Sequence, residues 1–389
     1  MSYLSVQNGK IEYDYIILGA GAAGLMLAKA MCSDVFFKDS SILVLDRDAK
    51  QTNDRTWCFW EKGKGRFDDI VHKKWGHIYF GGNQVSKRSK ISPYTYKMIR
   101  GIDFYQSHLQ HIENHPGVEF ILGEVSDVKD DGNLVTVTTT TETYRAKKVF
   151  NSIFSYKMAT QQQKYPVLQQ HFIGWFVKAA TPIFQKDQAT FMDFSIPQKG
   201  NTRFMYVLPF SDYEGLIEYT LFSEKRLPED EYENAIQNYI KDNLGCENFE
   251  IIEKEQGSIP MTCYDFKEHH SVNVRNIGTA GGWSKASTGY TFMSTAKKIP
   301  IVIKHLKSGK PLNQLNFRNR FWFYDLLLLD ILQRNNERGG EIFETIFKNR
   351  TPQLIFKFLD EETSLFEDVK YIMGCPKRPF IKAFFRRLF

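Results

Sequence analysis

The chain has 389 residues, 42% hydrophobic and 25% charged, with a formal net charge of +6 and abundant Phe (32) and Tyr (19). That length accommodates two or three lobes with cores of their own. The charge is thinly spread, without the dense basic stripe of a nucleic-acid partner, and no window reaches the ~18 uninterrupted apolar residues of a membrane-spanning helix.

The first element is legible in "YDYIILGAGAAGLMLAKAM", an apolar strand, a glycine turn and a helix rich in Ala, Leu and Met. Gly19, Gly21 and Gly24 have GxGxxG spacing, which supplies a tight turn, a close approach to a pyrophosphate and close helix–strand packing. The next strand, "SILVLDRD", ends in Asp46, roughly twenty residues beyond Gly24, where a carboxylate takes the ribose hydroxyls of adenosine. No second motif of this kind is present for NAD(P)H, so a retained flavin with a visiting reductant is expected. The N-terminus has no signal-peptide pattern, and Cys32, Cys58, Cys246, Cys263 and Cys375 show no paired spacing, which predicts free thiols in a reducing, cytoplasmic setting.

Further along, "VEFILGEVSDV" and "LVTVTTTTETY" predict strands or a hairpin of the same lobe. "WGHIYFGGNQV", "ATFMDFS" and "RFMYVLPF" predict an antiparallel sheet belonging to a second lobe. "GLIEYTLFS" carries Glu218 in the middle of an apolar strand, on one face with Leu216, Thr220 and Phe222, while Tyr219 points the other way. Desolvation there raises a carboxyl pKa and keeps its proton near neutrality. Asp193 in "FMDF" is a candidate partner for Glu218 or Arg203, or the start of a turn. Lys285 reads as a solvated or phosphate-side lysine and His171 as a core histidine. No His/Cys/Asp cluster has metal-ligand spacing.

The second glycine segment, "NIGTAGGWSKASTGYTFMSTAKKIPIVI", leads from a strand through a loop into a helix beginning near Gly289–Tyr290. From about residue 310 the pattern is helical. In "FLDEETS" the apolar stripe runs through Phe358, Phe366 and Met373 as one helix. Asp360 and Glu361 fall off that stripe and are expected to be solvated. Glu362 falls on it, a second candidate for a buried acid, or else a partner for a nearby arginine or a helix N-terminus. The tail "KRPFIKAFFRRLF" predicts either a docked helix or one resting on an anionic bilayer.

Together with "NDRTWCFW" (residues 53–60), "QHFIGWFVKA" (170–179) and "GGWSKASTGYTF" (281–292), these stretches resemble the lycopene β-cyclase family of carotenoid synthesis, in order and over essentially the whole chain. The resemblance implies an α/β, hydroxylase-like flavoprotein fold with a Rossmann-type lobe, an antiparallel β-sheet substrate lobe and a helical C-terminus. The expected lobes are residues 1–70, 98–160 and 270–305 for FAD, 71–97 and 161–269 for substrate, and 306–389 for the helical region. The implied cofactor-binding set is Gly19, Ala20, Gly21, Ala22, Ala23, Gly24, Asp46, Arg47, Arg55, Arg100, Val125, Gly281, Gly282, Ser287, Thr288 and Gly289. Gly282 stands where the fold usually has an aspartate, and the helix after the loop points its N-terminus at the pyrimidine edge of the flavin.

The family's acidic strand motif, (L/I)E(E/D)T, reads "LIEYT" here, so Glu218 and Thr220 match and Tyr219 departs. The implied enzyme is a peripheral membrane protein without a metal. It cyclises lycopene or a related linear carotenoid without net oxidation, using reduced FAD, with NAD(P)H as candidate reductant and Glu218 as the acid. Two rivals stand beside it: a flavin monooxygenase or prenyl reductase of the same fold, and a non-catalytic carotenoid or lipid carrier.

Overall fold

A computed structural model describes residues 5–7 and 10–388, with side chains from residue 12 onward. The apolar strand Lys10–Leu18 lies inside an eight-stranded sheet, paired in parallel with Ile42–Asp46 on one side and Thr143–Asn151 on the other. Ile16, Ile17 and Leu18 are fully buried, as expected of a parallel strand covered on both faces. Val118–Leu122 continues the parallel order beyond Ile42–Asp46. Val125–Asp130, Val135–Thr139 and Thr143–Asn151 form an antiparallel meander, and Val274–Asn276 runs parallel to the end of Thr143–Asn151. One face is covered by the packed helices Ala22–Cys32 and Phe292–Lys307. Against the other, Val135, Val137 and Tyr144 close a separate core.

A seven-stranded sheet forms the second layer, in the order Phe249–Thr262, Val167–Ala179, Glu214–Ser223, Thr202–Pro209, Gln188–Asp193, His77–Gly81 and Lys87–Lys90. Its pairs are antiparallel except for Gln188–Asp193 with His77–Gly81. A small sheet of Thr56–Lys62, Tyr94–Arg100 and Lys73–Trp75 bridges the layers, and two of the expected lobe boundaries, near residues 70 and 97, run through it. Aromatic side chains of the C-terminal helix Gly339–Asn349 pack against the large sheet: Phe347 stacks on Phe80 (4.2 Å between centroids) and Phe343 on Phe194 (5.7 Å).

The single helix expected across residue 360 is two. Pro352–Leu359 ends at Asp360, Glu361 adopts a left-handed φ of 61°, and Leu365–Ile372 restarts with a capping box between Ser364 and Glu367.

Candidate active site

The glycine turn is held by contacts that only a hydrogen permits. Gly19 has φ +93°, and a Cβ on Gly24 would stand 1.9 Å from the Gly19 carbonyl oxygen. Asp46, at the end of the neighbouring strand, accepts the Ala20 amide at 2.6 Å and lies 3.4 Å from Lys50.

A cavity of about 670 Å³ begins at this turn. Of the residues expected around a cofactor, Gly19, Gly21, Ala22, Ala23, Asp46, Arg47, Arg55, Val125, Thr288 and Gly289 line it. Gly24 packs helix against strand behind it. Four others are engaged elsewhere. Arg100 donates to Glu253 at 2.6 Å, and the Ser287 hydroxyl donates to Asp325 at 2.8 Å. Gly281 and Gly282 face a different cavity, about 580 Å³, while Gly278 and Thr279 take the positions beside the turn. The chain bends left-handedly at both Gly278 and Gly282, which shifts the contact toward the start of the segment.

The helix Phe292–Lys307 starts slightly later than the sequence predicts. Its first turn holds no acid, and Thr291 makes no side-chain cap. Its N-terminus abuts the cavity, lined here by Thr291, Phe292 and Thr295. Three buried polar atoms of cavity-lining residues have no hydrogen-bond partner: Gln170 Oε1, Thr288 Oγ1 and Thr295 Oγ1. Such groups are costly unless something polar meets them.

From this point the cavity runs under the seven-stranded sheet, between Phe172, Phe191, Phe204 and Phe222 of the strands and Phe343, Ile355 and Tyr371 of the C-terminal helices. Glu218 stands midway, 7% exposed, opposite Tyr206 on one neighbouring strand and Gly174 on the other. It accepts a hydrogen bond from the Thr220 hydroxyl. Burial, then the nearby Glu255 carboxylate, hold its pKa well above the ordinary carboxylate range. Tyr219, on the opposite face, accepts from Arg203 at 2.9 Å.

Glu255 is a functional candidate that sequence reasoning passed over. In "EKEQG" it looks like one of several solvated charges on a strand edge. Its pairing partner is Gly174, so it points inward beside Glu218, 7% exposed, and accepts from the Thr56 hydroxyl at 2.7 Å. Burial raises its pKa as well. Tyr96, within 2.6 Å of Tyr206 and 3.3 Å of Tyr290 through their hydroxyls, was likewise without a sequence signal.

The remaining acids and bases sort differently from expectation. Glu362 is not buried on a helical face: the left-handed turn puts it in the loop, nearly half exposed, 2.8 Å from Lys297. Asp360 and Glu361, expected to be solvated, are partly covered. Burial pushes the Asp360 carboxyl up to about 6, and Glu361 lies 3.2 Å from Lys285. Lys285 is buried and ion-paired with Asp325 at 2.9 Å, rather than solvated. Asp193 accepts from the Tyr239 hydroxyl at 2.8 Å and the Ser195 amide at 3.0 Å, the bonds of a turn and not of a partner for Glu218. His171 is a satisfied core histidine, within 2.6 Å of both Ser223 and Tyr232. Among the described residues no group of three His, Cys, Asp or Glu could hold a metal, and no helix is long and apolar enough to cross a membrane.

The family model for "Lycopene cyclase protein" matches residues 14–384. The chain belongs to the lycopene cyclase family. Among curated proteins no match is found. Solved structures share the fold of this lycopene cyclase family member at low identity. The flavin-dependent brominase Bmp2 is 14% identical with a TM-score of 0.62, over 97% of this chain and 100% of its own. The p-nitrophenol 4-monooxygenase PnpA from Pseudomonas putida is 13% identical (TM-score 0.59), over 93% and 96%. A geranylgeranyl bacteriochlorophyll reductase-like protein from Thermoplasma acidophilum is 10% identical (TM-score 0.57), over 96% and 95%.

Proposed function

We propose that this chain closes the linear ψ-ends of lycopene into β-ionone rings, towards γ- and β-carotene, by acid-initiated cyclisation without net redox change, supported by reduced FAD. One observation carries the reading: a buried carboxyl, Glu218, stands in an aromatic-walled cavity that is continuous with a glycine crevice of dinucleotide type.

The residues present suit FAD. The turn at Gly19 and the N-terminus of Ala22–Cys32 offer amides to a pyrophosphate. Asp46 is placed to exchange its Ala20 amide contact for ribose hydroxyls. Gln170, Thr288 and Thr295 contribute the unpaired polar atoms that an isoalloxazine edge can satisfy. The N-terminus of Phe292–Lys307 adds a partial positive charge that favours an anionic ring. When bound and reduced, FAD supplies negative charge and electron density near a developing carbocation.

The protein's own share is proton handling and exclusion of water. Glu218 gives its proton to the terminal double bond of a ψ-end, leaving a tertiary cation, and the next double bond of the polyene attacks to close the ring. Phe191, Phe204 and Phe222 wall the cavity; their π-faces favour a cation and their bulk keeps water from trapping it. A carboxylate then removes a ring proton, which restores the alkene.

A hydrocarbon of this size resides in a bilayer, and the same region offers a surface for one. Leu365, Phe366, Val369 and Met373 are more than half exposed, as are Ile381 and Leu388 of the following helix. That helix, Lys377–Leu388, holds five basic residues and no acid. The reading therefore includes peripheral docking on an anionic membrane. Tyr371, on the inner side of Leu365–Ile372, lines the cavity directly beneath. Flotation with vesicles of phosphatidylglycerol and phosphatidylcholine should recover the wild type and lose Phe366→Ser/Met373→Ser; equal flotation of both removes this surface from the account.

The decisive assay uses purified protein, lycopene in liposomes and anaerobic, flavin-reducing conditions. The expected product has a new retention time and unchanged mass. NAD(P)H oxidised in step with a product of altered mass indicates the monooxygenase or reductase; no flavin absorbance with lycopene returned intact indicates the carrier.

A further inference from the structure

Glu218 and Glu255 are brought together by a device that neither strand shows alone. Gly174 is the register partner of Glu218 on one side and of Glu255 on the other, so the two carboxyl side chains flank it on one face of the sheet. A Cβ on Gly174 would stand 3.5 Å from Glu218 Cβ and 3.3 Å from Glu255 Cγ, and 2.9 Å from Leu216 Cδ1. The missing side chain is the space into which the acids lean. Both line the cavity, and both are more than nine-tenths buried.

What surrounds them cannot neutralise two negative charges. Each acid accepts from a threonine hydroxyl, Thr220 for Glu218 and Thr56 for Glu255. Cys58, Tyr206 and Tyr290 face the pair from the other elements, all neutral, with burial holding each in its protonated form. The cation that acts on Glu255 is Arg100, and it is already paired with Glu253; Asp54 and Glu253 add further negative charge. Two carboxyls in one apolar recess titrate as a pair, the charge of one opposing ionisation of the other.

We infer that Glu218 and Glu255 work as a proton-sharing dyad, in which Glu255 is the positioning partner whose negative charge keeps the proton on Glu218 until the alkene takes it. This rests on the acid-initiated reading above. The O–H bond of Glu218 breaks as the C–H bond forms from the terminal π pair, leaving two carboxylates beside one cation. Their mutual repulsion then drives one to take the ring proton as the C–H electrons become the ring alkene. One proton leaves and one returns, so no oxidant or reductant is consumed.

The test compares wild type, Glu255→Gln, Glu255→Asp and Glu218→Gln, as holoenzymes, for the pH dependence of turnover. Infrared spectroscopy of the protonated-carboxyl stretch, without substrate, is run in parallel. Removing the neighbouring charge lowers the affinity of Glu218 for its proton. The alkaline fall in activity of Glu255→Gln should therefore move down by about one pH unit, a roughly tenfold loss on that limb. Activity should recover as the pH is lowered, and Glu255→Asp should restore the wild-type limb. The carboxyl band that Glu218→Gln abolishes should disappear at correspondingly lower pH in Glu255→Gln. A Glu255→Gln profile with the wild-type midpoint, whether scaled down uniformly or unchanged, overturns the dyad, and so does an unmoved infrared titration. If wild type does not cyclise lycopene at all, the cyclase reading fails instead, and the infrared titration still decides whether the two acids share a proton.

Discussion

Two acidic stretches of this chain, "LIEYT" at 216–220 and "FLDEET" at 358–363, are similar in letters and opposite in environment. The first lies within Glu214–Ser223, hydrogen-bonded to a neighbour on each side, and its alternation commits Glu218 to the interior with no cation beside it. The second spans a helix end, where the chain turns and hands each acid to a lysine: Asp360 and Glu362 to Lys297, Glu361 to Lys285. An acid pinned in a sheet among aromatics has no cation to meet it, whereas an acid in a turn with a lysine in reach forms an ion pair. For Glu218 and Glu362, the same side chain, the difference comes from backbone context.

The largest effect is expected at Glu218. Glu218→Gln should lower cyclisation by about a thousandfold or more, the scale of losing a general acid, with the fold intact by circular dichroism. The same variant tests the electrostatics through stability. A carboxyl whose folded pKa is raised contributes most below the ordinary carboxylate range and loses that contribution as the pH climbs toward its raised value. Wild type should therefore lose stability relative to Glu218→Gln as the pH rises, by at most ~1.4 kcal/mol per unit; denaturant midpoints across that range measure it.

Among the ion-paired acids the next largest effect is expected at Lys285. Lys285→Met leaves Asp325 buried without its partner and should cost about 3–5 kcal/mol in chemical denaturation. Glu362→Gln should do least: under ~1 kcal/mol in stability and less than about twofold in turnover, because its pair with Lys297 is exposed. A large loss of activity there would reverse the roles assigned to the two stretches.

Much of this arrangement could be read before any coordinates, for local reasons. The glycines at 19, 21 and 24 act within one turn, and a period of two is enough to face Glu218 and Tyr219 in opposite directions. What escaped was set by partners distant in the chain. Arg100 is claimed by Glu253, 153 residues away, and Glu255 becomes an interior acid only through pairing with Gly174. The break after Leu359 rests on a left-handed glutamate, a conformation that sequence assigns first to glycine. Gly281 and Gly282 lie on the wrong side of a turn whose hand the letters do not specify.

In the proposed reaction a carboxylic acid of the protein, and not an electron transfer, starts the chemistry. Cyclisation of unlabelled lycopene in D2O under flavin-reducing, anaerobic conditions, read by product mass, tests it. With the protein equilibrated in D2O and held to a single turnover, so that a ring proton returned to the carboxyls is not delivered again, each ring formed should carry one deuteron, with isotope-bearing product absent in Glu218→Gln. Cyclic product of unlabelled mass, or undiminished labelling in that variant, would contradict it.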